Sequence, residues 1–448
     1  MRPGVGWGYP RPMPGRLHPT DAQTYWMSAK IPNDQFLLYC FDTDASAASV
    51  RDELIQNAQA IADLQIRISE VPFSLGYPRM KPMRIRGGHV RDRGRGTSWP
   101  ECLAEISSSF DRQLDQSETP WCIHLFEAVD DAPRCTGPAL VAVLQISHAL
   151  GDGRIASHIA RRLFGDHRER MPTVLGRGRF GPREFVRRSK RAHELDQILT
   201  SDTESGAVPA QAPGRPLTRV NVAPSGTTSV RCVVRESSEL TAPGISVTVG
   251  ATTAISVALA RYLERLGDSV PASLGAEVTM SKTGTRKARN HFRNSGVDLF
   301  PVATDITERA ERIAASLADR RARAEHPAME AQSLATEMVP AVLLHWGIRQ
   351  FDATAVPDAV TGNTVVSSVA RGDDNLFLGG GRVRFTAGFP ALSPVMGLTH
   401  GVHGIGDAVT LSVTSSESAV PDPDVYEALL HDAVDEVADA LRRRALPG

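Results

Sequence analysis

Lysine is scarce in this 448-residue chain, with five copies against 45 arginines. That bias reads first as a coding preference and only second as chemistry. Cysteine is sparse too. Cys40, Cys102, Cys122, Cys135 and Cys232 are odd in number, scattered, and form no C-x-x-C pair. This argues against a disulfide framework and points to reduced thiols in a cytosolic protein. No stretch approaches the roughly 18 uninterrupted apolar residues of a membrane span. The opening MRPGVGWGYPRPMPGRLHPT has Pro and Gly where a signal peptide needs its apolar centre, and reads as a flexible arm. A net charge of −1 gives no global pull toward nucleic acid or membrane. No fixed-period repeat occurs, and the absence of G-x-S-x-G removes a serine nucleophile elbow.

What is present is a soluble globular composition, 41% hydrophobic and 23% charged. The length exceeds one ordinary core, so two domains are expected. DQFLLYCFD (34–42) predicts a strand, and residues 48–64 predict a helix with Val50, Leu54, Ala58, Ile61 and Leu64 on one stripe. PWCIHLFEAV (120–129) alternates like a strand. ALVAVLQIS (139–147) is nearly all apolar, which suggests a central strand covered on both faces. A helix over 154–164 follows, with Ile155, Ile159 and Leu163 inward. A basic, helical piece (181–199) leads into a segment of linker composition, where the boundary falls. The expected division is an arm (1–18), an N-terminal lobe (19–200), a linker (201–226) and a C-terminal lobe (227–448). In the second half, TTSVRCVV, VDLFPV and NTVVSSV read as strands, with helices at about 307–325 and 328–349. Asp422 and Pro423 open the last helix.

The residues that carry chemistry sit where strand 139–147 ends. His148 and Asp152 are four apart, with Gly151 and Gly153 beside the carboxylate. A histidine near its neutral pKa can take a proton from an alcohol, thiol or amine. Asp152 sits at or just before the next helix and could orient the ring, as in a catalytic triad, or clamp an arginine. The second role fits better, because a capping carboxylate rarely also reaches the ring four residues back. Charge building on a carbonyl oxygen needs a donor, and Ser147, Ser367, Ser368 and Asn294 are the candidates among which the sequence does not choose. Two arginine-rich stretches, 79–95 and 177–191, read as solvated surface or as attraction for phosphates, an acidic carrier or anionic lipid. Few aromatics interleave with them, which argues against nucleic acid. His400 and His403 have no further metal ligand nearby and read as part of a mobile loop. LGGGRV (378–383) lacks the context of a nucleotide site, and His124 reads as packed or surface-lying.

H-x-x-x-D-G after a central strand resembles the CoA-dependent acyltransferase superfamily. LHPTDAQTYWM (17–27), TPWCIHLFEAV (119–129), FPVATDITERAERI (300–313), VVSSVARGDDNLFLGGGRV (365–383) and AVPDPDVYEALL (419–430) are similar, in order, to passages of the bacterial wax ester synthase/diacylglycerol acyltransferase family. The resemblance implies an α/β, two-lobed, chloramphenicol-acetyltransferase-like fold. Each lobe would hold a mixed sheet with flanking helices, and a tunnel would run between them. It implies His148 as general base for direct attack of an acceptor hydroxyl, or amine, on a thioester, with Asp152 mainly structural. Ser147, Gly153, Trp121, Asn294, Ser367 and Ser368 would contact substrate.

Acyl-CoA, or an acyl carrier protein, would be the donor. A small molecule or lipid would be the acceptor, with no metal and no cofactor beyond that co-substrate. The implied location is cytoplasmic, with peripheral contact to an anionic membrane or lipid body in reach. The chain departs from the family pattern at Ser147, at Thr248-Val249 and at Ser368-Val369-Ala370-Arg371-Gly372. Those departures imply an altered acceptor or donor, as in specialised metabolism, rather than long-chain wax ester synthesis. The rival readings are a condensation or cyclisation enzyme on the same fold and a non-catalytic lipid-binding scaffold.

Overall fold

A computed structural model describes residues 15–165, 169–174 and 182–445. The first 14 residues of the expected arm, together with Arg177 and Arg179, lie outside the described residues. In chain order the elements are α1 (Pro19–Met27), β1 (Gln35–Phe41), α2 (Ala47–Gln59), β2 (Ile66–Ser69), β3 (Arg79–Pro82), β4 (Val90–Arg95), α3 (Trp99–Ser107), β5 (Trp121–Val129), β6 (Ala139–Ile146), α4 (Gly153–Phe164) and α5 (Pro182–Glu204). There follow β7 (Thr228–Glu236), α6 (Val247–Arg265), β8 (Gly275–Ser281), β9 (Phe292–Asp298), α7 (Ile306–Glu325), α8 (Pro327–Thr336), α9 (Ala341–Gln350), β10 (Thr364–Ala370), β11 (Phe377–Leu378), β12 (Gly381–Phe389), β13 (Leu398–Ile405), β14 (Ala408–Ser416) and α10 (Pro423–Ala445).

Two six-stranded sheets organise these elements, in the orders β11-β12-β1-β6-β5-β4 and β7-β14-β13-β10-β8-β9. Strand periodicity divides the first sheet cleanly. Leu37, Tyr39 and Phe41 of β1, with Leu140, Ala142, Leu144 and Ile146 of β6, face one core shared with α2 and α4. The alternate residues Phe36, Leu38, Cys40, Val141 and Val143 face a second core with α3 and β7. All eight residues of β6 are buried, as expected of a strand covered on both faces. A third core joins the second sheet to α6, α7 and α10.

The second-half chain does not stay in one lobe. β11 and β12 cross over and complete the first sheet, with β12 antiparallel to β1 through Phe36↔Phe389, Leu37↔Gly388 and Leu38↔Ala387. The expected 227–448 lobe therefore lends a strand to its partner. The reason is burial: Val383, Phe385, Ala387 and Phe389 alternate along β12 and are covered only there. Other expectations shift locally. α5 runs to Glu204, past the expected linker start. The single helix over 328–349 is two, split before Ala341 by Pro340, which lacks an N–H and disfavours helix in the residue before it. The strand drawn at VDLFPV ends at Asp298. Asp422 caps α10, accepting from the Asp424 and Val425 N–H groups at 3.1 and 3.2 Å. No helix among the described residues is long and apolar enough to cross a membrane.

Candidate functional site

β6 ends at Ile146, and the next residues form one tight 3₁₀ turn, His148–Leu150. Ser147 starts it, its Oγ accepting from the Ala149 N–H at 3.2 Å. Gly151 adopts φ +150°, and a Cβ there would sit 2.6 Å from Ile155 Cγ2. Only glycine lets the chain turn from the sheet into α4 without pushing that helix away. Gly151→Ala is accordingly expected to lower stability by about 2 kcal/mol and to reduce turnover, as measured by urea unfolding and by thiol release. Wild-type stability would show that the turn tolerates a side chain.

Asp152 caps α4, its Oδ1 accepting from the Ile155 N–H at 3.2 Å. Its Oδ2 accepts from Arg286 Nη1 at 2.9 Å and from the His291 N–H at 3.0 Å. The carboxylate thus clamps an arginine, the role the sequence favoured, and turns away from the His148 ring. A second buried carboxylate grips the same segment. Asp21 of α1 accepts from the Arg289 N–H at 3.0 Å, the Asn290 N–H at 2.8 Å and Asn290 Nδ2 at 3.0 Å. Asn290 Nδ2 also donates to the His148 carbonyl at 2.9 Å, and Arg289 Nη1 donates to the Leu150 carbonyl at 2.9 Å and pairs with Asp63. Three carboxylates of the first lobe, Asp152, Asp21 and Asp63, therefore clasp residues 286–291, which lie between β8 and β9. The clasp sets the Phe292 ring 5.5 Å from the His148 ring.

The imidazole itself is half-buried. Burial pushes its pKa below the usual histidine value. The Asn290 side chain, Asp152 and Asp21 act in the opposite, smaller sense. Nδ1 has no hydrogen-bond partner, and neither does Asn290 Oδ1. The ring lines a cavity of about 640 Å³ at the lobe junction, bounded by β1 and the head of α4 on one side and by β8, β9 and β10 on the other. Adjacent cavities share its walls. One of about 260 Å³ meets it at Asp34, Phe36 and Phe389, and its other walls include Phe110, Leu392 and Pro394. On the opposite side, one of about 380 Å³ meets it at Thr279, Ser281 and Ser368. A further one of about 770 Å³ shares Lys282 and Arg293 with that third cavity. The succession runs from an apolar end, past His148, to a cationic end.

Of the residues singled out in the sequence, His148, Asp152, Gly153, Asn294, Ser367 and Ser368 come together on the central cavity. Ser368 Oγ is hydrogen-bonded to Thr248 Oγ1 at 2.7 Å, and Asn294 Nδ2 donates to Glu277. Two expected substrate contacts are corrected. Trp121 is fully buried, with Nε1 donating to the Leu64 carbonyl at 2.9 Å and the ring packed against His89. Ser147 is fully buried as the cap of its own turn. Both are held inside because their polar atoms find backbone partners there.

His400 and His403 are corrected too: they lie on the buried strand β13, not on a loop. His400 bridges Thr364 Oγ1 and Tyr426 Oη at 2.8 Å each. His403 lines the central cavity. His124 is packed, accepting from Arg93 Nε at 2.9 Å, and burial lowers its pKa to about 4. No described residue of the arginine-rich stretches lines these four cavities. Several of their members are engaged locally, Arg95 with Asp44 and Glu127, and Arg187 and Arg188 with Glu184. The clasp residues Arg286, Arg289 and Asn290 carried no motif. Among the described residues no group of histidines, cysteines and carboxylates is arranged to hold a metal ion.

Residues 294–438 match the WS/DGAT C-terminal domain family. No curated protein matches the sequence. Among solved structures, the chain resembles the wax ester synthase/diacylglycerol acyltransferase from Marinobacter aquaeolei VT8, with a TM-score of 0.63 at 18% identity over 96% of this chain and 100% of that one. It also resembles the TRI3 trichothecene 15-O-acetyltransferase from Fusarium sporotrichioides, with a TM-score of 0.58 at 12% identity over 96% and 95%. A third likeness is to a mutant starter condensation domain of rhizomide synthetase RzmA in complex with C8-CoA and Leu-SNAC, with a TM-score of 0.57 at 10% identity over 97% and 96%. The C-terminal part of the chain thus matches the WS/DGAT C-terminal domain, and over its whole length the chain shares the fold of these structures.

Proposed function

We propose that the protein transfers an acyl group from a CoA thioester to the hydroxyl, or less readily the amine, of a small or lipid acceptor. The observation that carries this reading is the setting of His148: a neutral imidazole, fixed by a glycine turn and a clasp, on the wall of a cavity with an apolar end and a cationic end. In this reading His148 Nε2 takes the acceptor's proton as its oxygen bonds the thioester carbonyl carbon. The carbon–sulfur bond then breaks, and the departing thiolate takes the proton from the imidazolium to leave as free thiol. Asp152 acts through the clasp. Ser367, Ser368 and Asn294, which line the same cavity, are the candidate donors to the developing oxyanion.

The cationic end suits the phosphates of CoA. Lys282, Arg293 and Arg321 line it, and none makes an ion pair among the described residues. A carrier-borne phosphopantetheine thioester presents the same arm and one of the same phosphates, so it is the second donor to test. The apolar end is small beside the ~300–1,000 Å³ of typical ligand pockets, which supports an acyl or acceptor group of modest size.

The test is direct. The purified chain is supplied with acyl-CoAs of graded length and a panel of alcohols and amines. Thiol release and product mass are read, in parallel with the carrier-bound donors. Acceptor-dependent release with an ester or amide product is expected. Binding of acyl-CoA without turnover under all pairings would favour a scaffold.

A further inference from the structure

Arg371 is an unusual wall for this cavity. It is 3% exposed, yet it borders the same space as His148. Its Nη1 donates to Thr386 Oγ1 and, at 2.9 Å, to the Ala387 carbonyl. Its guanidinium carbon stands 5.2 Å from the centre of the Tyr39 ring. Nε has no partner, the only ionisable group that favours the charge is the Tyr39 phenol, and no carboxylate among the described residues pairs with the guanidinium. A buried cation without an anion is costly, because desolvation is not offset by attraction. His403, 5% exposed and also without a partner at Nδ1, adjoins it. A Cβ on Gly388 would lie 2.6 Å from Arg371 Nη2 and 2.7 Å from His403 Nε2, so glycine keeps this corner clear.

The charge around the corner is positive. Arg154, exposed at the head of α4, borders the cavity as well. The acids on the walls do not balance these arginines. Asp152 is engaged by Arg286, and burial pushes Asp34 and Glu277 toward their neutral forms.

We propose that Arg371, with His403 beside it, is a recognition site for a carboxylate on the substrate. The proposal rests on the acyltransferase reading for the word substrate only; the binding site stands on the geometry. Reach follows from the sheet. His148 follows β6, Arg371 holds β12, and β1 lies between them. Two strand spacings sideways, with the offset of two or more residues along β1 between the Gly388↔Leu37 and Ile146↔Gln35 levels, put the guanidinium on the order of 10–15 Å from the imidazole. The ligand is therefore a hydroxy acid, or a thioester of a dicarboxylic acid, with its carboxylate about that far from the reacting atom.

The experiment uses the full chain and two pairs of probes. For the acceptor, ω-hydroxyoctanoate is compared with its methyl ester. For the donor, suberyl-CoA is compared with octanoyl-CoA. Binding is measured by calorimetry on the wild type, His148→Ala, Arg371→Gln and Arg371→Lys, and turnover on the wild type. One charge-assisted contact predicts a preference for the carboxylate form of about ten- to a hundredfold in one pair. The pair that shows it identifies the source. The preference should persist in His148→Ala, vanish in Arg371→Gln and partly return in Arg371→Lys. Equal binding of charged and neutral probes by the wild type overturns the proposal even if Arg371→Gln fails to fold. A preference that survives Arg371→Gln removes Arg371 from it. Carboxylate binding without turnover would sink the acyl-transfer reading and leave this site standing.

Discussion

His148→Ala should fold and bind acyl-CoA yet lose about 10²- to 10⁴-fold in turnover, the range that a positioned general base contributes. Folding is expected because the ring makes no hydrogen bond within the protein that its loss would orphan. Its Nδ1 is already without a partner, and the carbonyl that Asn290 holds belongs to the backbone. The wild-type pH profile gives an independent check. A base works only when deprotonated, and burial lowers the pKa of this ring from the ordinary 6.5. Activity should therefore be flat near neutrality and fall only as the pH drops through a value below 6.5. A folded His148→Ala variant with near-full turnover would refute the role, and an acid limb above 6.5 would refute the environment described for the ring.

Replacing Asp152 by alanine should be the most destabilising single change at the site. It removes a helix cap, worth about 1 kcal/mol. It also leaves Arg286, 8% exposed, without its carboxylate. Breaking one partner of a buried pair costs about 3–5 kcal/mol, which urea unfolding would resolve. The His291 N–H loses its acceptor as well, so the segment that carries Asn290 and Phe292 against His148 is released. Asp152→Asn separates the clasp from a triad. If Asp152 held the ring's tautomer, the amide would cost about 10⁴-fold in kcat. Because the carboxylate bonds Arg286 and backbone instead, Asp152→Asn should lose stability and far less turnover. The acid limb should move slightly down as a nearby negative charge disappears. A 10⁴-fold loss in a stable Asp152→Asn variant would restore the triad.

Much of this site is legible from local order. The apolar run of β6, the glycine at 151 and the spacing of a capping aspartate four residues past a histidine are all short-range signals. They place His148 at a strand end and Asp152 at a helix start without knowledge of anything distant. The same holds for α10, where Asp422 and Pro423 mark the first turn. The strand β13 was hidden because glycines interrupt its pattern. Gly401 is there for a reason no window reveals: a Cβ would sit 2.3 Å from the Gly388 carbonyl oxygen on β12, the strand that crosses over to the first sheet. His400 and His403 consequently read as loop while forming part of a buried sheet.

The sequence alone determined the elements whose stabilising contacts lie within a few residues: the central strand, the capped helix, the histidine between them, and a succession of passages similar to one family. Tertiary structure alone decided which side chains share a space. The Arg286–Asp152 and Asn290–Asp21 contacts join residues 134 and 269 positions apart. The strand that carries Gly388 to β1 crosses more than 340 positions, as the Thr386–Leu38 contact at a separation of 348 shows. Periodicity reports which face of an element is buried, but not what it is buried against. The cavity, its two ends and the lone cation at Arg371 are set by packing between lobes, and no local pattern encodes that pairing.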